Sequence, residues 1–202
     1  MTWADFAPVL AVLRGGERTD PAAAAWVEHE YGVPVIDVVE DEMVTGRRLT
    51  VWFHTAEEVA EFRTMPSGNY DPVRQEAIAI AAGRPGIFVN FRAADDELRR
   101  RTLEAVPVGA YEATAKATLD DPTTVWRVYP LLGQVFVMLQ TIAQADALRT
   151  DPAHVRLVDA LWELIRAHDE FGVIPRSSFD PVIDSKQVVD EDFAGSTYYY
   201  HR

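Results

Sequence analysis

LTVWFHTAEEVAEFRT (Leu49–Thr64) and VFVMLQTIAQADALRT (Val135–Thr150) follow one plan at a constant offset, an alternating apolar strand running into a short helix. Val51, Thr55, Arg63 and Thr64 recur as Val137, Thr141, Arg149 and Thr150. Leu49, Phe53 and Phe62 recur as Val135, Leu139 and Leu148. An Asp-Pro step follows each copy (Asp71-Pro72, Asp151-Pro152) and opens a longer apolar helix. Repetition of this kind points to two related structural units.

Working outward, Phe6, Val9, Leu10 and Leu13 have helical spacing, so Trp3 to Arg14 reads as a first helix ended by Gly15-Gly16. Asp20 and Pro21 supply a cap and a first-turn proline, and Gly32 a stop, for a second. Val35–Val39 and Leu49–Phe53 suit a hairpin about Thr45-Gly46. Helices at Ala56–Arg63 and Pro72–Ala82, a buried strand at Ile87–Phe91, a charged helix at Asp95–Leu103 and an extended segment at Val106–Thr114 complete the first unit. Leu119–Pro122 marks the joint. Beyond it come strands at Val125–Tyr129 and Val135–Leu139 about Leu132-Gly133, a short helix to Leu148, and a helix from Asp151 to Phe171 closed by Gly172. A strand at Val182-Ile183, an acidic segment and a closing strand through Tyr198, Tyr199 and Tyr200 follow. The expected fold is therefore α+β: two similar ββααβ(α)β units with mainly antiparallel sheets, plus an N-terminal helical pair. Residues 1–32 would form that pair, packed on a first unit at 33–119, with a second unit at 120–202.

A competing self-match exists. Arg18-Thr19-Asp20-Pro21-Ala22 is identical to Arg149-Thr150-Asp151-Pro152-Ala153, and Pro34-Val35-Ile36-Asp37 to Pro181-Val182-Ile183-Asp184. Both correspondences cannot describe one duplication, and Asp-Pro is a common helix opening in unrelated passages. Duplication and coincidence both stay open on the sequence.

Composition narrows function by exclusion. The chain has 202 residues, enough to bury a substantial core as one domain or two small ones. A net charge of −13 repels phosphate backbones, which argues against nucleic acid as a ligand. Zero cysteines exclude a disulfide framework, a thiolate metal site and a cysteine nucleophile. No apolar run approaches a membrane span and no leader pattern follows Met1, so a cytoplasmic location is expected. Arginine outnumbers lysine heavily, with Lys116 and Lys186 the only lysines, a bias that fits a GC-rich bacterial genome.

Catalytic motifs are missing from the sequence. The histidines His29, His54, His154, His168 and His201 form no HxxxH or HExxH pair. His154 and His168 sit about four turns, roughly 21 Å, apart on one helix, too far to share a metal. His54 and Glu58 have i,i+4 spacing, a contact more than a catalytic pair. The acidic groups Asp37/Glu40/Asp41/Glu42, Asp95/Asp96/Glu97 and Asp184/Asp190/Glu191/Asp192 lack EF-hand spacing and read as solvated turns and helix starts. No GxSxG, GxxxxGK[ST] or GxGxxG occurs. Arg99-Arg100-Arg101 reads as a solvated helix face. Neither metal nor cofactor is expected.

Trp26, Trp52, Trp126 and Trp162 read as core, because a tryptophan buries so much area. The three successive tyrosines differ: in a strand Tyr199 would face away from Tyr198 and Tyr200, leaving at least one phenol accessible. Tyrosine and arginine carry binding hot spots, and His201 and Arg202 follow directly. The candidate partner-binding residues are therefore Tyr198, Tyr199, Tyr200, Asp184, Asp190, Glu191 and Asp192. The expected function is a non-enzymatic protein-binding module for a basic partner, its most concrete form an immunity or antitoxin-type inhibitor steered onto a basic cleft. The alternatives are a small-molecule-binding protein or hydrolase with a pocket between the two units, and an assembly role through self-association.

Overall fold

In a computed structural model, residues 5–44, 46–64 and 68–202 are described; the expectations for Trp3 and Thr45 lie outside them. Their contacts divide the chain into two units, residues 1–96 and 97–202.

The first unit runs α1 (Ala7–Leu13), α2 (Pro21–Tyr31), β1 (Asp37–Met43), β2 (Gly46–Phe53), α3 (Ala56–Ala60), α4 (Pro72–Ala81) and β3 (Phe88–Ala93), and α5 (Ala94–Ala105) continues across the division. Local chemistry explains the helix starts. The Asp20 carboxylate accepts from Ala23 N, with Pro21 beginning α2 and Gly32 ending it at φ 68°, the left-handed conformation that favours glycine. Thr55 and Glu58 cap each other's backbone at α3, and Asp71 accepts from Val73 N and Arg74 N at α4. β1 and β2 pair antiparallel (Val38 opposite Val51), while β3 joins β2 parallel (Phe91 opposite Val51). Leu49, Val51, Phe53, Val89 and Phe91 share one sheet face and form a core with Val27, Val59, Phe62 and Ile78. On the other face α1 sets the Phe6 ring 4.9 Å from that of Trp52.

The second unit contains α6 (Val108–Thr118), β4 (Val125–Leu131), β5 (Gln134–Leu139), α7 (Ile142–Thr150), α8 (Pro152–Arg166), β6 (Val182–Ser185), α9 (Lys186–Asp192) and α10 (Thr197–Tyr200). Its sheet repeats the first: β4 and β5 antiparallel (Val128 opposite Val137), β6 parallel to β5 (Ile183 opposite Val137). Thr141 and Gln144 form a second capping box, and Asp151 caps α8 as Asp71 caps α4. The core gathers Val128, Val135, Val137, Leu139, Leu157, Leu161, Ile165 and Ile183 around Tyr111 of α6. The Tyr111 phenol, pushed up by burial, donates to Leu103 O at 2.8 Å.

The fold is thus α+β with two similar units. Two elements differ in kind from expectation. Val106–Thr114 is no strand: Pro107 precedes α6, whose Tyr111 and Ala115, one turn apart, are both buried. The tyrosine run is the single turn α10, because the Ser196 hydroxyl accepts from Tyr199 N and holds the backbone helical. The sheets also combine one antiparallel with one parallel pair instead of being mainly antiparallel. Two helices between the second and third strands form a crossover, which returns the chain in the same direction. The helix expected to run to Phe171 stops at Arg166, and Gly172 turns the chain at φ 65° farther on.

Candidate functional site

β-Pleating places Tyr129 of β4, Phe136 and Met138 of β5, and Asp184 of β6 on the sheet face opposite the second core. Tyr129 and Phe136 stack at 5.7 Å with ring planes 13° apart. α10 lies against this layer. His201 meets Phe136 edge-on at 4.7 Å and Tyr200 at 4.7 Å, and Tyr200 meets Phe193 edge-on at 5.5 Å.

Two polar links tie the aromatic layer down. The Tyr200 hydroxyl donates to Asp184 Oδ2, and Tyr129 Oη and His201 Nε2 share a hydrogen bond of 2.9 Å. Burial first, and the bond to Asp184 second, push the Tyr200 phenol well above its usual range. Burial likewise raises the Tyr129 phenol and lowers the His201 imidazole. The group is therefore held as two protonated phenols and a neutral ring, a set suited to fixing α10 in place.

Of the residues singled out from sequence, Asp184 and Tyr200 meet. Tyr198 and Tyr199 point outward, 63% and 58% exposed, their rings 5.4 Å apart. The guanidinium of Arg202 lies 5.1 Å from the Tyr198 ring centroid. Asp190 pairs with Lys186 and Glu191 accepts from Gln187, each one helical turn away, while Asp192 is exposed at the end of α9. A Cβ on Gly195 would stand 3.7 Å from Asp190 Oδ1, so α9 folds back against the residue before the Ser196 cap. The strand reading of the tyrosines gives the wrong partition: Tyr200 faces inward, and Tyr198 and Tyr199 face outward.

Tyr129, Phe136 and Phe193 were not singled out from sequence. Their signal was present in part, since Tyr129 and Phe136 alternate with Val128, Val135 and Val137, and an aromatic opposite a core-facing valine requires a cover of its own.

Several of the other spacings and charged runs make local structural contacts. Glu58 accepts from the backbone N–H groups of His54 (2.8 Å) and Thr55 (3.0 Å), so the His54/Glu58 spacing serves a cap. Asp37 is buried and accepts from Thr19 N, Thr19 Oγ1 and Val38 N. Asp41 pairs with Arg48, and Glu40 with Arg47 and Arg84. Within the arginine run, Arg99 donates to Gly133 O, and Arg100 and Arg101 pair with Glu97. Among the described residues no group of three or more His, Asp or Glu side chains is placed to hold a metal ion, and no helix is long and apolar enough to cross a membrane. Trp52 is buried, Trp26 and Trp162 pack at the edges of the two cores, and Trp126 is half-buried between Arg127 and Lys186. Compared with family models, with curated proteins and with solved structures, the chain matches none.

Proposed function

We propose that the protein is a non-enzymatic binding module for a basic protein surface, acting in the bacterial cytoplasm as an inhibitor of the immunity or antitoxin type. The observation that carries this reading is the outward pair Tyr198 and Tyr199, standing on an anchored base of Tyr200 and His201 beside the acidic end of α9. Rigid aromatic contact area costs little ordering entropy when its support is already fixed. The net charge of −13 adds a long-range field that accelerates encounter with a cationic partner.

Affinity capture from host lysate and from products of adjacent genes tests the reading. The wild-type chain should retain a basic protein at low salt and release it at high salt, and the Y198A/Y199A double variant should not retain it. Equal retention by both chains, or no protein retained at low salt, refutes it.

A further inference from the structure

Arg202 occupies the face of Tyr198 in the way that a partner's arginine would, with its guanidinium carbon over the exposed ring, 5.1 Å from the centroid. An ammonium group fills such a seat less well, because guanidinium is flat, weakly hydrated and able to lie on a ring while its edge donates to carboxylates. Asp190, Glu191 and Asp192 end α9 a few residues before α10 begins, and Asp190, which also pairs with Lys186, has Oδ1 3.7 Å from where a Gly195 Cβ would stand. We propose that the Tyr198 ring is a seat for an arginine side chain of the partner, filled in the free protein by Arg202, so that the partner must displace this internal competitor. The inference rests on the protein-binding reading and goes further, selecting arginine-rich over lysine-rich partners and making Arg202 an autoinhibitory contact.

The test is the affinity of fluorescein-labelled octa-arginine and octa-lysine for the full chain at low salt, read by anisotropy. Octa-arginine should bind more tightly than octa-lysine. Arg202→Lys keeps the charge and removes the guanidinium, so it should tighten octa-arginine binding about two- to fivefold, the size of one exposed cation–π contact, and leave octa-lysine unchanged. Tyr198→Leu should abolish the preference and Tyr198→Phe should restore it. Circular dichroism checks that each variant keeps its fold. Equal binding of the two peptides, or unchanged octa-arginine affinity in Arg202→Lys, overturns the arginine seat while leaving a basic-partner module standing. Failure of both peptides to bind overturns that module as well.

Discussion

Arg149 donates from Nη2 to the carbonyl of Ile183 at 2.5 Å, and Arg18 donates from Nε to the carbonyl of Ile36 at 3.2 Å. The two arginines open the identical Arg-Thr-Asp-Pro-Ala segments, and the two isoleucines lie in the identical Pro-Val-Ile-Asp segments. The second self-match of the sequence therefore has a physical basis: an arginine just before an Asp-Pro helix cap clasps the chain at or just before the strand to which that helix leads. Arg18 also donates to Val35 O at 2.6 Å and pairs with Glu28, whose carboxyl it holds below the ordinary range. Arg18→Ala should destabilise the protein by about 2 kcal/mol, and Arg149→Ala, more exposed and with fewer partners, by about 1 kcal/mol. Urea midpoints at an unchanged m-value measure both. Equal, negligible shifts would reduce the clasp to a coincidence of packing.

Thr50 sits in the central strand of the first sheet, fully buried, and its hydroxyl has no hydrogen-bond partner among the described residues. A buried polar group without a partner forfeits its hydration for nothing in return. Valine has nearly the same shape and an equal liking for strands. Thr50→Val is expected to stabilise the chain by about 1 kcal/mol, seen as a higher urea midpoint, and a loss of stability would show that the hydroxyl is engaged.

Leu132 turns the β4–β5 hairpin at φ 50°, followed by Gly133 at φ 76°, and its side chain is 74% exposed. A branched residue gains nothing there and carries the steric cost of the left-handed region, about 1 kcal/mol. Asn-Gly is the pair this turn geometry favours. Leu132→Asn should raise the melting temperature by a few degrees, about 0.5–1 kcal/mol, and a lower melting temperature would contradict the turn geometry.

Caps, stops and repeated strand-helix passages are legible in the sequence; short aperiodic runs and contacts between distant elements are not. The repeated strand-helix passage, the Asp-Pro caps and Gly32 each rest on chemistry confined to a few neighbouring residues, and each is found where the pattern puts it. The Thr55-x-x-Glu58 and Thr141-x-x-Gln144 boxes were equally readable, though the spacing drew attention to His54 instead. Val106, Val108 and Ala110 alternate like a strand, and only the later pair Tyr111 and Ala115 gives the helix away. Three tyrosines in a row have no period at all, so the sole local sign of α10 was Ser196. The aromatic layer is assembled from β4, β5, β6 and α10, and pairings across such distances in the chain leave no trace in spacing.

Packing of α10 should depend on pH at both ends of the range. His201 is neutral in its aromatic surroundings, and the groups facing it are Tyr129, Phe136 and Tyr200, with Asp184 reached through Tyr200. Burial lowers its pKa from the ordinary 6.5, so the packed state binds protons less readily than the released one. Its contribution is whole above pH 6.5 and is lost as the pH falls toward the lowered value. The Tyr200 phenol is raised above the ordinary 10.0, so the packed state keeps its proton longer; that contribution is whole below pH 10.0 and is lost as the pH rises toward the raised value. α10 is therefore held best between these limits. Proton NMR of the His201 ring should show it titrating below the ordinary 6.5, and the amide protection factors of Tyr200 and His201 should fall on the acid side of the window. His201→Gln should remove the acid-side change and leave the alkaline one, whereas an unaltered acid profile in that variant would assign the acid sensitivity to another group.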